Sequence, residues 1–246
     1  MKEVFVLPAL PFPFPLDSRD MLKKRAFILT TLCAADEGFC QTPVVSIRRE
    51  TPVTMFQLYD QIFLDGTLSR AYGRLDVTLS SRLTSAAGKF ISARDPALKM
   101  ERAEIRLSSD FLFQLREGPF QLIGLSVATP QEAFLVVFEH ELCHALETAL
   151  YGSTGHSSRF LSLANGLFGH TGIRHSLPTR KQIAAQNGIA VGKVVSFPYE
   201  GRTLRGTITY VGKTATVMVP DRRGDYRNAQ GRRYSKYRLS LDLLQF

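Results

Sequence analysis

Five consecutive residues, His140-Glu141-Leu142-Cys143-His144, carry the groups that hydrolytic metal chemistry needs. On a helix turning about 100° per residue, positions four apart differ by about 40° and one turn of rise, so both imidazoles leave one face and can bind one ion. Glu141 follows the first imidazole, where its carboxylate can accept a proton from an attacking water. The spacing therefore suits zinc hydrolysis, with one Zn²⁺ per chain. The competing reading, two core histidines with ordinary hydrogen-bond partners, explains less of the pattern.

A catalytic zinc takes three protein ligands and keeps one position open. The candidates for the third are Glu147, His156, His170 and His175. Glu147 lies two turns from His140, too far along the axis to share the ion, and suits a supporting or surface role. His170 and His175 stand near Gly169 and Gly172 and read as loop or capping residues. His156 follows Gly152-Ser153-Thr154-Gly155, a stretch able to reverse the chain, and opens a further helix, which makes it the choice for third ligand. Cys143 points off the ligand face and reads as a small buried residue.

The helix that must position the motif is marked at both ends. Thr129-Pro130-Gln131-Glu132 forms a capping box with Pro in the first turn, and Gly152 follows Tyr151 at the other end. Residues 133–138 are all apolar, as in a core helix that holds its side chains rigidly. A second helix over Ser158 to Phe168 can pack against it. Upstream, Asp17 to Glu37 reads as a helix capped by Ser18 and stopped by Gly38, with Lys23-Lys24-Arg25 on a solvated face. Another begins near Thr51-Pro52 and ends at Gly66. Residues 74–80 alternate as a half-buried strand does, and Ala103 to Leu107 do so again; the small residues around Gly88 suggest a turn into a further strand. Ser108 to Leu115 can begin a helix.

With these elements in place the sequence resembles the SprT/Spartan-like zinc metalloproteases. The resemblance rests on H-E-L-C-H at 140–144 and G-H-S-S-R-F at 155–160, with S-R-L-T-S-A-A-G at 81–88 and E-I-R-L-S at 104–108 upstream. It covers roughly residues 51–177. The chain departs from the family in having no Trp and no Cys-rich zinc ribbon. The resemblance implies a soluble zinc protease acting on DNA-associated or DNA-crosslinked proteins, with DNA-gated activity in the best-understood relatives. His140, His144 and His156 would hold the metal and Glu141 would act as the base. A strand near the site, such as 104–108, could align substrate by β-addition.

Charge separates a second region from this body. Residues 1–179 carry 18 basic and 18 acidic side chains, whereas residues 180–246 carry 13 basic and four acidic, so the net +9 belongs to the last 67 residues. Short β-rich runs over 192–199, 203–211, 215–219 and 233–241 predict a small SH3-like or OB-like barrel. Its basic residues include Arg202, Arg205, Lys213, Arg222, Arg223, Arg232, Arg233 and Lys236, interleaved with tyrosines, a combination suited to DNA or RNA.

The predicted architecture is α+β: a Pro-rich segment and helix at 1–50, a zincin-like metalloprotease domain at 51–177, a linker helix at 178–187 and a basic barrel at 188–246. Three scattered Cys without a C-x-x-C fit a reducing compartment. Pro8, Pro11, Pro13 and Pro15 break the apolar start, against a secretory signal, and no apolar run reaches the length of a membrane span. A cytoplasmic, nucleoid-associated or nuclear protein is expected. Two other functions are compatible with the sequence: a non-enzymatic nucleic-acid-binding protein with a structural zinc, and a cytosolic peptidase indifferent to DNA.

Overall fold

Apolar side chains gather into two separate cores, and the chain divides into the compact units Met1–Leu177 and Pro178–Phe246. The computed structural model describes residues 10–95, 100–115, 118–173, 188–212 and 214–245. His175, Lys213 and the expected linker helix at 178–187 lie outside the described residues.

In the first unit, α1 (Ser18–Ala35) is capped by Asp17, whose carboxylate accepts from the amides of Arg19 and Asp20, rather than by Ser18. Asp36 ends α1 and caps the short α2 (Glu37–Cys40), so the helix stops before Gly38. The expected solvated face on α1 is corrected at two positions. Arg25 is buried, and the Lys24 ammonium donates to the carbonyl of Ile62 at 2.8 Å. Next come α3 (Thr51–Leu64), with Pro52 in its first turn, and α4 (Thr67–Ala71).

Three strands follow, β1 (Arg74–Ser80), β2 (Gly88–Asp95) and β3 (Met100–Ser108). Their order is β1-β3-β2, with β3 parallel to β1 and antiparallel to β2. Ala103, Ile105 and Leu107 of β3 enter the core, while Glu104 and Arg106 pair at 2.6 Å on the outer face. That alternation is what the half-buried pattern requires. Both edges of β3 are thus occupied, so it cannot add a substrate strand as expected; β2 is the edge strand packed on the helix of the motif.

The unit is completed by α5 (Ser109–Gln114), the hairpin of β4 (Phe120–Leu122) and β5 (Leu125–Val127), and two helices. α6 (Pro130–Tyr151) has the predicted capping box and ends at Gly152, whose φ of 73° is a left-handed conformation favourable to Gly. α7 (Ser158–Phe168) buries Phe160, Leu163, Ala164, Leu167 and Phe168, the i, i+3, i+4 stripe of a helix packed on one side.

Residues 10–50 belong to this core. Phe12, Ile28, Leu32, Phe39 and Val44 are buried in it. The amide of Leu16 bonds the carbonyl of Gly166 at 2.9 Å, and a Cβ at Gly166 would come within 2.3 Å of the Phe14 ring. Among the described residues no helix is long and apolar enough to cross a membrane.

The second unit is a five-stranded antiparallel sheet: β6 (Val194–Tyr199), β7 (Arg202–Val211), β8 (Thr214–Pro220), β9 (Tyr226–Arg227) and β10 (Arg233–Ser240), in the order β6-β7-β8-β10-β9. Its core contains Val195, Phe197, Ile208, Ala215 and Val217. Ser196 and Gln245 exchange two backbone bonds of 2.8 Å, which brings the end of the chain back to the outer edge of β6.

Candidate metal centre

Helical spacing puts His140 and His144 on one face of α6 with ring centroids 4.9 Å apart. The turn after Gly152 brings back His156, whose Nε2 lies 3.1 Å from that of His140. One nitrogen from each of the three rings falls within 4.8 Å of the others, a group able to hold a metal ion. His140 is buried, His144 half-buried and His156 exposed, so the cluster opens from the helix toward solvent. Behind it, the buried ring of Phe160 lies 5.0, 4.4 and 5.1 Å from the three imidazole centroids in the same order. Phe160 comes four residues after His156, in the first turn of α7, and was not singled out from the sequence.

Hydrogen bonds fix which His144 nitrogen faces the cluster. Thr154 donates its hydroxyl to Glu147 Oε2 at 2.8 Å, so its oxygen is left to accept from His144 Nδ1 at 2.7 Å. The proton on Nδ1 leaves the Nε2 lone pair for a metal. Glu147 also accepts from the Gly155 amide at 3.0 Å, from Arg159 Nε at 2.8 Å and from Ser157. Burial alone would raise its carboxyl, but Arg159 and these donors hold it below the usual range. Glu147 therefore supports the loop that delivers His156. Burial and the neighbouring His156 push His144 down to about 4, which favours the neutral imidazole a metal needs.

Glu141 is only 4 % exposed, and that burial pushes its carboxyl up to about 7 against the opposing backbone hydrogen bond from Phe90. A cation bound nearby would favour the carboxylate form. The strand above it is constrained by size: a Cβ at Gly88 would lie 2.7 Å from Glu141 Cγ and 2.8 Å from Oε1. Gly88 is thus required by close approach. Ser108 N bonds Ala87 O at 2.8 Å, and the antiparallel alternation from that pair turns the backbone groups of Gly88, Phe90 and Ser92 away from β3.

The opposite side of α6 carries a buried ionic network that sequence reading missed. Glu139 accepts two bonds from Arg25, at 2.7 and 2.8 Å, and one from the Tyr59 hydroxyl at 2.7 Å. His170 Nε2 lies 2.9 Å from its other oxygen. Burial would raise the Glu139 carboxyl, but Arg25 and His170 overcome this and hold it at about 2. Arg25 also donates to the carbonyl of Phe168 at 3.0 Å, at the end of α7. His170 is therefore a buried structural partner, while Cys143 is fully buried as expected.

Among the cations considered for nucleic acid, Arg205 of β7 and Lys236 of β10 stand on one face of the second sheet. Arg202 opens β7, Arg222 and Arg223 lie between β8 and β9, and Arg232 and Arg233 lie where β9 turns into β10. All seven are exposed.

Helix, sheet edge and converging histidines define a helix-and-sheet domain with a candidate metal centre on its longest helix. The chain belongs to the SprT-like family, whose model matches residues 53–180, and this family is of the zinc-metalloprotease type. Neither a search of curated proteins nor one of solved structures returned a significant match.

Proposed function

We propose that the chain is a zinc-dependent endopeptidase of the SprT type, with a zincin-like catalytic unit, acting on proteins associated with or crosslinked to nucleic acid. The second unit recruits it there, in a reducing compartment such as the cytoplasm. The observation that carries the peptidase reading is the cluster of His140 and His144 from α6 with His156 from the loop that follows, Glu141 being buried on that same α6. The chemistry of the donor set fits zinc: three imidazole nitrogens lie within 4.8 Å of one another, with His140 and His156 Nε2 only 3.1 Å apart, and imidazole is a common zinc ligand.

His140, His144 and His156 would hold the ion. Bound zinc supplies Lewis acidity, which polarises a carbonyl and lowers the pKa of water toward about 7. Glu141 takes the proton of the attacking water and passes it to the leaving amine. Its bond from the Phe90 amide keeps the carboxylate at the β2 edge, and the outward backbone groups of Gly88 and Ser92 offer an extended substrate a strand to pair with. The nucleic-acid part of the reading rests on the positive charge of residues 180–246.

The test is cleavage of a DNA-binding protein by the full chain, with and without DNA. Cleavage should be lost on chelation, restored by about one zinc per chain and raised by DNA. A His156→Ala chain should bind zinc at least about tenfold more weakly, read by competition with a chromophoric chelator. No cleavage under any condition would overturn the peptidase reading; zinc-dependent cleavage indifferent to DNA would overturn the recruitment. Gly88→Ala should keep the metal but lose about tenfold or more in rate, because the methyl displaces Glu141. An unchanged rate would show that the close approach at β2 has no catalytic consequence.

A further inference from the structure

The second sheet has an outer face that carries tyrosines and basic side chains. Strand alternation puts Thr207 and Tyr210 of β7, Thr216 and Met218 of β8, and Lys236 and Arg238 of β10 on it, opposite Val195, Phe197, Ile208 and Val217 in the core. An irregularity in the pairing between Ile208 and Tyr210 shifts the β7 register by one residue and keeps Tyr210 on this side. Tyr226 of the edge strand β9 joins the same face. Together Tyr210, Met218, Tyr226, Lys236 and Arg238 line a hollow of about 530 Å³.

Two features of the hollow point to its occupant. Tyr210 is 59 % exposed and Tyr226 47 %, so neither ring serves the core; the Tyr210 ring lies against Gly212 at the turn into β8, with atoms 2.9 Å from where a Cβ there would stand. The charge is also of one sign. Arg205, Lys236 and Arg238 are on this face, and no strand position on it is acidic. The four acids of the unit, Glu200, Asp221, Asp225 and Asp242, all lie in connections or in the short 3₁₀ turn at 241–243. Lys236 Nζ lies 5.5 Å from the Tyr226 ring centroid, which places a cation beside a ring that a base could cover.

We infer that this face binds single-stranded nucleic acid, with Tyr210 and Tyr226 stacking on unpaired bases and Arg205, Lys236 and Arg238 neutralising the phosphates between them. The inference rests on the recruitment reading above and specifies its ligand. A duplex presents phosphates outward and keeps its bases stacked, so it offers no free base face to the two exposed rings. A single strand offers each base as a π-face, and stacking on an aromatic side chain is tolerant of sequence. DNA and RNA share this chemistry.

The test is fluorescence anisotropy of the full chain with labelled oligomers of about 15 nucleotides, oligo-dT and oligo-U, and with a duplex of the same length. Single strands should bind at least tenfold more tightly than duplex. Tyr210→Ala and Tyr226→Ala should each weaken single-strand binding about tenfold, while Tyr210→Phe, which keeps the ring, should bind as the parent does. Lys236→Ala should lower the slope of log affinity against log salt by about 0.7. Because both rings are exposed, their truncation leaves the core intact, and an unchanged melting curve verifies this. If the parent binds single strands but the double Tyr→Ala chain binds them equally well, the stacking face is wrong and recruitment stands. If duplex is bound as tightly as single strand, the single-strand assignment is wrong. A parent chain that binds no nucleic acid overturns the recruitment reading itself.

Discussion

A Glu141→Gln chain is expected to bind zinc as the parent does and to cleave protein about 10²–10⁴-fold more slowly. Gln has the shape of Glu, and its amide oxygen can still accept the Phe90 amide, so neither the helix nor the β2 edge has reason to move. What it lacks is a group that can take a proton. Burial already raises the Glu141 carboxyl to about 7, so a neutral side chain suits the pocket at least as well as a charged one. The thermal transition should therefore not fall. Zinc content, kcat and melting measured on one preparation separate these effects. A variant with parental kcat would move the base to another residue; a variant that lost zinc or stability would show that Glu141 acts through structure.

Much of this centre could be read before any coordinates. Helical spacing paired His140 with His144, and a Gly-bounded turn followed by a new helix singled out His156. Both are local signals, since they depend on residues close in sequence. Gly88 was visible only as a small residue in a turn, because its reason is Glu141, fifty-three positions later. The pairing of β3 with both neighbours was equally hidden: alternation marks a strand but does not say which strand lies at the edge.

The buried network failed for a different reason. Lys23-Lys24-Arg25 reads as a solvated run because basic triplets usually are, yet position 25 faces the core and meets Glu139. The available signal was on the other helix. Glu139 directly follows an apolar run, and a charge held in a core helix requires a partner. His170, read from the sequence as a loop or capping residue, was the second clue. Nothing local links Arg25 to Glu139, 114 positions later, or Glu139 to His170, 31 positions further on.

Among the single substitutions, breaking that network should have the largest effect on stability. In an Arg25→Ala chain, Glu139 keeps Tyr59 and His170 but loses its only bidentate cation among the described residues, while remaining fully buried. Removing one partner of such a pair costs about 3–5 kcal/mol. At about 2–4 °C per kcal/mol for a unit of this size, the melting temperature of the first unit should fall by roughly 6–20 °C. Arg25→Met combined with Glu139→Gln removes both charges and should recover more than half of the loss. Equal melting of parent and Arg25→Ala would mean that the pair contributes no net stability. The family model begins at residue 53, yet Arg25, Phe12, Ile28 and Leu32 are built into the core that carries the histidines. A chain shortened to begin at residue 51 would lose the ionic pair together with this apolar surface, and should unfold at lower temperature than Arg25→Ala. The core that carries the histidines thus extends upstream of the matched segment.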